Sequence, residues 1–267
     1  SMQRYLGKKD FPFIKLSSRI ISDYQGKLLA SGICDNTIGF YLHNIKALFR
    51  KGCREMGLEL PCPFRDISIK TEKTLKRSLD PVVIKTLSAI ELEKDSPLSL
   101  ARDIFMFSFY TRGMSFVDIA LLKKRHVFPG EICYRRHKTD QLMRVGINKE
   151  ISRILERYKN VPGEYIFPLF PAERDPYAGY RNAYHRIRYS LGKISRVIGL
   201  EFPLRLHAAR HSWATIAKVN GASVHVIGEC LGHTSEKTTR IYLKELDHSA
   251  LDAVNNQVAD FILAVDD

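Results

Sequence analysis

The spacing of apolar residues sets the narrowest limit on this fold. From Ser17 to Ala30, from Asn36 to Met56, and through most of the chain after Asp80, they recur every three or four residues, the period of a helix with one buried face. Ser17 caps the first of these helices and Gly32 closes it. Ile38, Tyr41, Leu42, Ile45, Leu48 and Phe49 form the stripe of the second, which Gly57 ends. Asp80-Pro81 places a capping carboxylate before a proline at the first helical position and opens a helix to about Glu91. Further helices read over Leu98–Tyr110, Lys149–Tyr158, Tyr177–Ile198, Leu206–Val219, Ser223–Cys230 and Leu246–Ala264. Between Glu131 and Ile147 the period changes: Ile132 and Tyr134, then Leu142, Val145 and Ile147, read as two short strands joined by a turn at Lys138–Gln141. The expected fold is mainly α with a small β-hairpin, of the α+β class.

The stretch from Leu60 to Arg77 has two prolines and no lasting periodicity. It carries Arg65, Lys70, Lys73, Lys76 and Arg77 against Asp66 and Glu72, and reads as a basic linker. This divides the chain into a helical module at 1–64, a linker at 65–77, a larger domain at 78–245 and a terminal helix at 246–267. The net charge of +13 is unevenly spread: the last 25 residues hold one Lys against six acids, a net of −5, so the preceding 242 carry +18. Such a field attracts a polyanion, and nucleic acid is the expected partner. The longest apolar run, Ile104–Tyr110, is broken by Ser108 and is far shorter than the ~20 residues of a membrane span, so no membrane partner is expected. Five cysteines, at 34, 53, 62, 133 and 230, never form C-x-x-C; neither a disulfide framework nor a zinc ribbon is indicated, and a reducing cytoplasm fits best.

The chemistry concentrates near the C-terminal end. His207-x-x-Arg210 places an imidazole and a guanidinium one helical turn apart, where both could grip one phosphate. The same spacing also occurs as His43/Lys46 and His185/Arg188, so by itself it says little. Downstream, however, comes Leu231-Gly-His-Thr-Ser-Glu-Lys-Thr-Thr-Arg-Ile-Tyr242, with a tyrosine nine residues after His233. His207-x-x-Arg-His-x-x-Ala-Thr215, Leu231-Gly-His233 and Thr238-Thr-x-x-Tyr242 resemble, in order and spacing, the marks of the tyrosine recombinases, or phage integrases. The layout of helical core-binding domain, basic linker and mixed catalytic domain is similar throughout, although the N-terminal part is short against that family's pattern.

The resemblance implies a site-specific recombinase or integrase. Its tyrosine attacks a DNA phosphodiester and stores the bond energy as a 3′-phosphotyrosine until a 5′-hydroxyl returns it, with no metal, ATP or other cofactor. It further implies Tyr242 as nucleophile, His207 as the proton acceptor beside it, Arg210 and His233 as donors to the phosphate, and Lys138, in the hairpin turn, as the acid that protonates the leaving 5′-oxygen. The extra negative charge of the phosphorane calls for fixed forked donors. Here the sequence departs from pattern: Gly113-Met-Ser-Phe-Val-Asp118 puts Ser115 in the slot of the first catalytic arginine, and a serine cannot replace a guanidinium. Arg112 is preferred as its substitute, being nearest in sequence and one helical turn away if the helix extends back that far. Arg136, two residues before Lys138 and so on the same strand face, is the alternative.

Double-stranded DNA is expected to contact Lys73, Lys76 and Arg77 of the linker and Arg181, Arg186 and Arg188 of the basic run at 181–196. The terminal segment has an apolar stripe, and in the resembling family it docks on the next subunit. A monomer alone and a homo-oligomer, a tetramer, on DNA are therefore expected, in a cytoplasmic, nucleoid-associated protein. A relaxing type IB topoisomerase and a non-catalytic DNA-binding protein are the competing readings. His207 and His211 also have the i, i+4 spacing of two zinc ligands, but Ala208 stands where a glutamate base belongs and no third ligand is evident.

Overall fold

The computed structural model describes residues 1–7, 11–70, 72, 78–170, 176–233, 235–240 and 242–243. It divides the chain into two compact units, Ser1–Leu75 and Lys76–Asp267. No helix among the described residues is long and apolar enough to cross a membrane.

The first unit contains α1 (Met2–Leu6), α2 (Ser18–Ala30) and α3 (Asp35–Glu55). Ser17 caps α2 as its sequence position suggests, its hydroxyl accepting from the Ile20 N–H at 3.4 Å. Ile21 and Tyr24 of α2 meet Ile38, Leu42 and Phe49 of α3 and Phe64 in one core. Leu48, expected in the buried stripe, instead faces solvent, 69% exposed. At 100° per residue the row Ile38-Leu42-Ile45-Phe49 closes without it. Residues 65–70 and 72 do not stand apart from this unit: Ile67 and Ile69 pack on its core, the Gln25 amide donates to Ser68 O at 3.1 Å, and Asn36 pairs with the Glu72 backbone at 3.0 and 2.9 Å. Lys73, Lys76 and Arg77 lie outside the described residues.

The second unit begins with α4 (Pro81–Ala89), capped by Asp80, whose Oδ1 accepts from the Val82 N–H at 2.8 Å. Next comes α5 (Pro97–Tyr110), started by Ser96 and Pro97. Ile104, Phe105 and Phe107 are fully buried, each stabilising by about 1.5–3 kcal/mol, because α5 is surrounded by α4, α7 (Lys149–Tyr158), α8 (Pro176–Val197) and α9 (Leu206–Val219). Two left-handed residues, Arg112 at φ 58° and Gly113 at φ 74°, stop α5 and turn the chain into the short helix α6 (Phe116–Ala120). The helix thus does not extend back from Ser115 to Arg112, and the helical-turn relation expected between those residues does not exist.

The β region is a three-stranded antiparallel sheet of β1 (Val127–Phe128), β2 (Glu131–Arg135) and β3 (Leu142–Gly146). Ile132 pairs with Val145 and Tyr134 with Met143; all four are buried, as their alternation requires. β1 was not foreseen, since two residues carry no periodicity. The last described elements are α10 (Val224–Leu231), capped by Ser223, and α11 (Glu236–Arg240), another single turn below the reach of a pattern. The helix expected at Leu246–Ala264 lies outside the described residues.

Candidate active site

The motif residues converge because α10 ends where it does. The last carbonyls of a helix have no partner within it, and Gly232, at φ 64°, turns the chain so that those of Leu231 and Gly232 face neighbouring elements. Arg210, on α9 and only 4% exposed, donates from Nη2 to Leu231 O at 2.5 Å and from Nη1 to Gly113 O at 2.7 Å. Arg136, just past β2, donates from Nη1 to Gly232 O. Two arginines from separate parts of the chain are held on consecutive carbonyls. The Nε of Arg210 is buried with no hydrogen-bond partner among the described residues. A buried unpaired donor is costly, and an anionic oxygen would satisfy it.

His233 completes this cluster. Its Nε2 accepts from Arg210 Nη2 at 2.9 Å, which leaves Nδ1 to carry the proton toward Thr239 Oγ1 at 3.0 Å. Burial, and then the charges of Arg210, Arg136 and Lys138, push the His233 pKa down to about 4, so the ring is neutral at neutral pH. Burial and Arg136 likewise lower Arg210 to about 10, against the opposing pull of Tyr242, Tyr134 and Asp118; the guanidinium remains charged. Thr239, fully buried, also accepts the Tyr242 N–H on its carbonyl at 2.8 Å, so one threonine aligns both residues.

The Tyr242 ring sits among three imidazoles and a guanidinium. Its centroid is 4.8 Å from that of His211 in a stacked arrangement, 5.0 Å from His233 and 5.4 Å from His207, with Arg210 Cζ 5.2 Å away. His211, weighed in the sequence only as half of a zinc pair, proves to be the ring's nearest aromatic neighbour, and its Nδ1 lies 3.3 Å from Tyr242 O. The signal was present: His211 is one turn beyond His207 on the same face of α9. Among the described residues, no three His, Cys, Asp or Glu side chains gather where they could hold a metal.

Ser115 caps α6, and its hydroxyl donates to Asp118 Oδ2 at 2.5 Å. The other oxygen of this buried carboxylate accepts the His137 backbone N–H at 2.8 Å, which anchors the hairpin turn between Arg136 and Lys138. Lys138 itself is exposed. Arg112 points elsewhere, donating to Arg144 O at 3.5 Å. On α8, Arg181, Arg186 and Arg188 are exposed, and Arg186 donates to Leu169 O at 2.8 Å.

The chain is similar to known proteins of one family. The model of the phage integrase family matches residues 78–248. The tyrosine recombinase XerC of Shewanella oneidensis is 26% identical over 226 residues, covering 81% of this chain and 70% of the relative. Among solved structures, a lambda integrase dimer bound to a COC′ core site superposes with a TM-score of 0.66 at 17% identity, over 91% of this chain and 87% of that one. The Tn1549 transposon integrase in complex with circular intermediate DNA does so at 0.62 and 16%, over 91% and 86%. At those identities the structural likeness is one of fold.

Proposed function

The chain belongs to the phage integrase family, and from that premise we propose that it breaks and rejoins DNA strands with Tyr242 as nucleophile. It is a site-specific tyrosine recombinase and binds DNA. The observation that carries the residue assignment is the placement of the Tyr242 ring against Arg210, His207 and His233 within one chain.

In this reading the Tyr242 oxygen attacks phosphorus, its proton passes to His207, and the bond to the 5′-oxygen breaks as Lys138 supplies that oxygen with a proton. The phosphorane's charge is met by Arg210, whose Nε has no partner among the described residues, and by a second guanidinium. His233 donates from Nε2 once the phosphate draws Arg210 away. The proton then sits on Nε2 and Nδ1 accepts from Thr239, whose hydroxyl serves either tautomer.

For the second guanidinium we favour Arg136 over Arg112, because it shares the Leu231–Gly232 carbonyl pair with Arg210 and its charge acts on both Arg210 and His233. Arg136→Ala is expected to slow cleavage of a suicide DNA substrate by about 10²–10³-fold, and Arg112→Ala by only a small factor. The reverse order would return the role to Arg112. Because side chains supply the positive charge, adduct formation should persist in excess EDTA; its loss on chelation and return with Mg²⁺ or Zn²⁺ would sink this mechanism.

DNA backbone contacts are assigned to Lys73, Lys76, Arg77, Arg181 and Arg188, with Arg186 a weaker candidate because its guanidinium already serves Leu169. We assign assembly into a tetramer on DNA, from a monomer, to the acidic segment after Leu246, on its charge and apolar stripe. Acting on DNA, the protein is placed in the cytoplasm with the nucleoid.

A further inference from the structure

His207 and Arg210 leave α9 one turn apart, whereas Tyr242 arrives on a separate stretch beyond α11. No covalent geometry sets the distance between them. Attack on phosphorus needs the reacting atoms about 3–3.5 Å apart and aligned, so the stretch bearing Tyr242 has to be held on α9 by non-covalent contacts. His211, one residue past Arg210, makes several of them. Its ring stacks on that of Tyr242, with centroids 4.8 Å apart and planes 29° from parallel. Its Nδ1 is 3.3 Å from Tyr242 O, and because a carbonyl only accepts, the nitrogen is the donor.

The same ring also meets His207 edge to face, with centroids 5.0 Å apart and planes at 89°, and His207 closes the triangle at 5.4 Å from Tyr242. His211 thus touches the proton acceptor and the nucleophile together. Its two contacts with Tyr242 do different things. Stacking sets the tilt of the ring, and the hydrogen bond sets the backbone from which the ring projects. The Tyr242 N–H is given to Thr239 O at 2.8 Å, so both polar groups of the nucleophile's backbone are occupied, one from α9 and the other from α11. A misplacement of about 1 Å can cost 10²-fold in rate, so the effect of such a hold belongs in the rate of attack and not in the affinity for DNA.

We infer that His211 is a positioning residue that clamps the nucleophile to α9, by the stack on the Tyr242 ring and by the bond from Nδ1 to the Tyr242 carbonyl, with no part in proton or phosphoryl transfer. The inference rests on the assignment of Tyr242 as nucleophile. A histidine that merely filled space would be replaced without loss by a ring of similar size, whereas a clamp needs both the ring and the donor.

Three variants divide the clamp. His211→Phe keeps the ring and removes the donor, His211→Asn keeps an N–H near the position of Nδ1 and removes the ring, and His211→Ala removes both. Cleavage of a suicide DNA substrate is followed in single turnover over a range of protein concentrations, which separates the rate at saturation from the concentration at half-saturation. The phenylalanine and asparagine chains should each cleave about 2- to 13-fold more slowly at saturation, the equivalents of one neutral hydrogen bond and one aromatic pair. The alanine chain should be slower by about 10²-fold, and half-saturation should stay within about twofold of the parent in all three. A parental rate at saturation in either the phenylalanine or the asparagine chain overturns the inference, which requires both contacts, and these two decide it even where the alanine chain fails to fold. A slowing that appears only as a raised half-saturation, or as a smaller folded fraction on melting, is the behaviour of a packing residue and overturns it too. Tyr242→Phe, run alongside, separates the two readings. An adduct that persists there overturns the nucleophile assignment and this inference with it, whereas an adduct lost there beside parental rates in the His211 variants overturns this inference alone.

Discussion

Tyr242→Phe is expected to abolish the covalent protein–DNA adduct while leaving DNA affinity and fold close to those of the parent. The substitution removes one oxygen and keeps the ring that stacks on His211 at 4.8 Å and packs by His233 at 5.0 Å. Packing and backbone contacts, including the 2.8 Å bond to Thr239 O, should survive. Incubation with a suicide substrate, followed by denaturing electrophoresis, decides the matter: a phenylalanine variant that still becomes attached to DNA means another residue is the nucleophile.

Gly113→Ala is expected to cost nearly as much through a residue with no reactive group. A Cβ at 113 would fall 2.6 Å from Cγ, 2.8 Å from Cβ and 2.9 Å from Cα of Arg210. Because the last of these is backbone, no rotation of the Arg210 side chain relieves the clash. The backbone there is also left-handed, at φ 74°, which disfavours any residue with a Cβ by about 1–2 kcal/mol, and overpacking adds about 1–3 kcal/mol. A fall in melting temperature on the order of 10 °C should result. If α9 gives way by about 1 Å, cleavage should slow by about 10²-fold in the molecules that remain folded. Gly130→Ala separates the two effects, since Gly130 has φ 82° but open space around it; it should lower the melting temperature slightly and leave cleavage intact. An alanine at 113 with parental rate and stability would refute the close approach.

These two positions also mark how far a sequence can be read. The long elements were legible because each buries one continuous face: α7 and α9 have the expected limits, and Ser17, Asp80 and Ser223 cap the helices they precede. The convergence of His207, Arg210, His233 and Tyr242 was legible through motif spacing. What spacing could not convey was the direction of a chain between elements. Arg112 is nearest to Ser115 in sequence, yet two left-handed residues separate the helices there, whereas Arg136, distant in sequence, reaches a carbonyl freed by the end of α10. Asp118 matched an acidic slot, but that it would hold the hairpin through the His137 N–H was invisible, since the bond is to backbone. β1, α6 and α11 are too short to generate a period.

The enclosure of Tyr242 by its own chain's side chains bears on how copies of this protein divide the labour. A nucleophile donated to a neighbour would leave its own Arg210 and histidines behind; here Tyr242 lies 5.2 Å from its own guanidinium. With Tyr242 as the proposed nucleophile, each subunit would be self-sufficient for breaking one strand, and two crippled subunits could not repair one another. A mixture of Tyr242→Phe and Arg210→Ala chains on shared DNA should stay inactive, where an enzyme built on exchanged tyrosines would recover activity in a fraction of its mixed assemblies. Any coordination among copies would then act on the timing of attack, with the parts already in place.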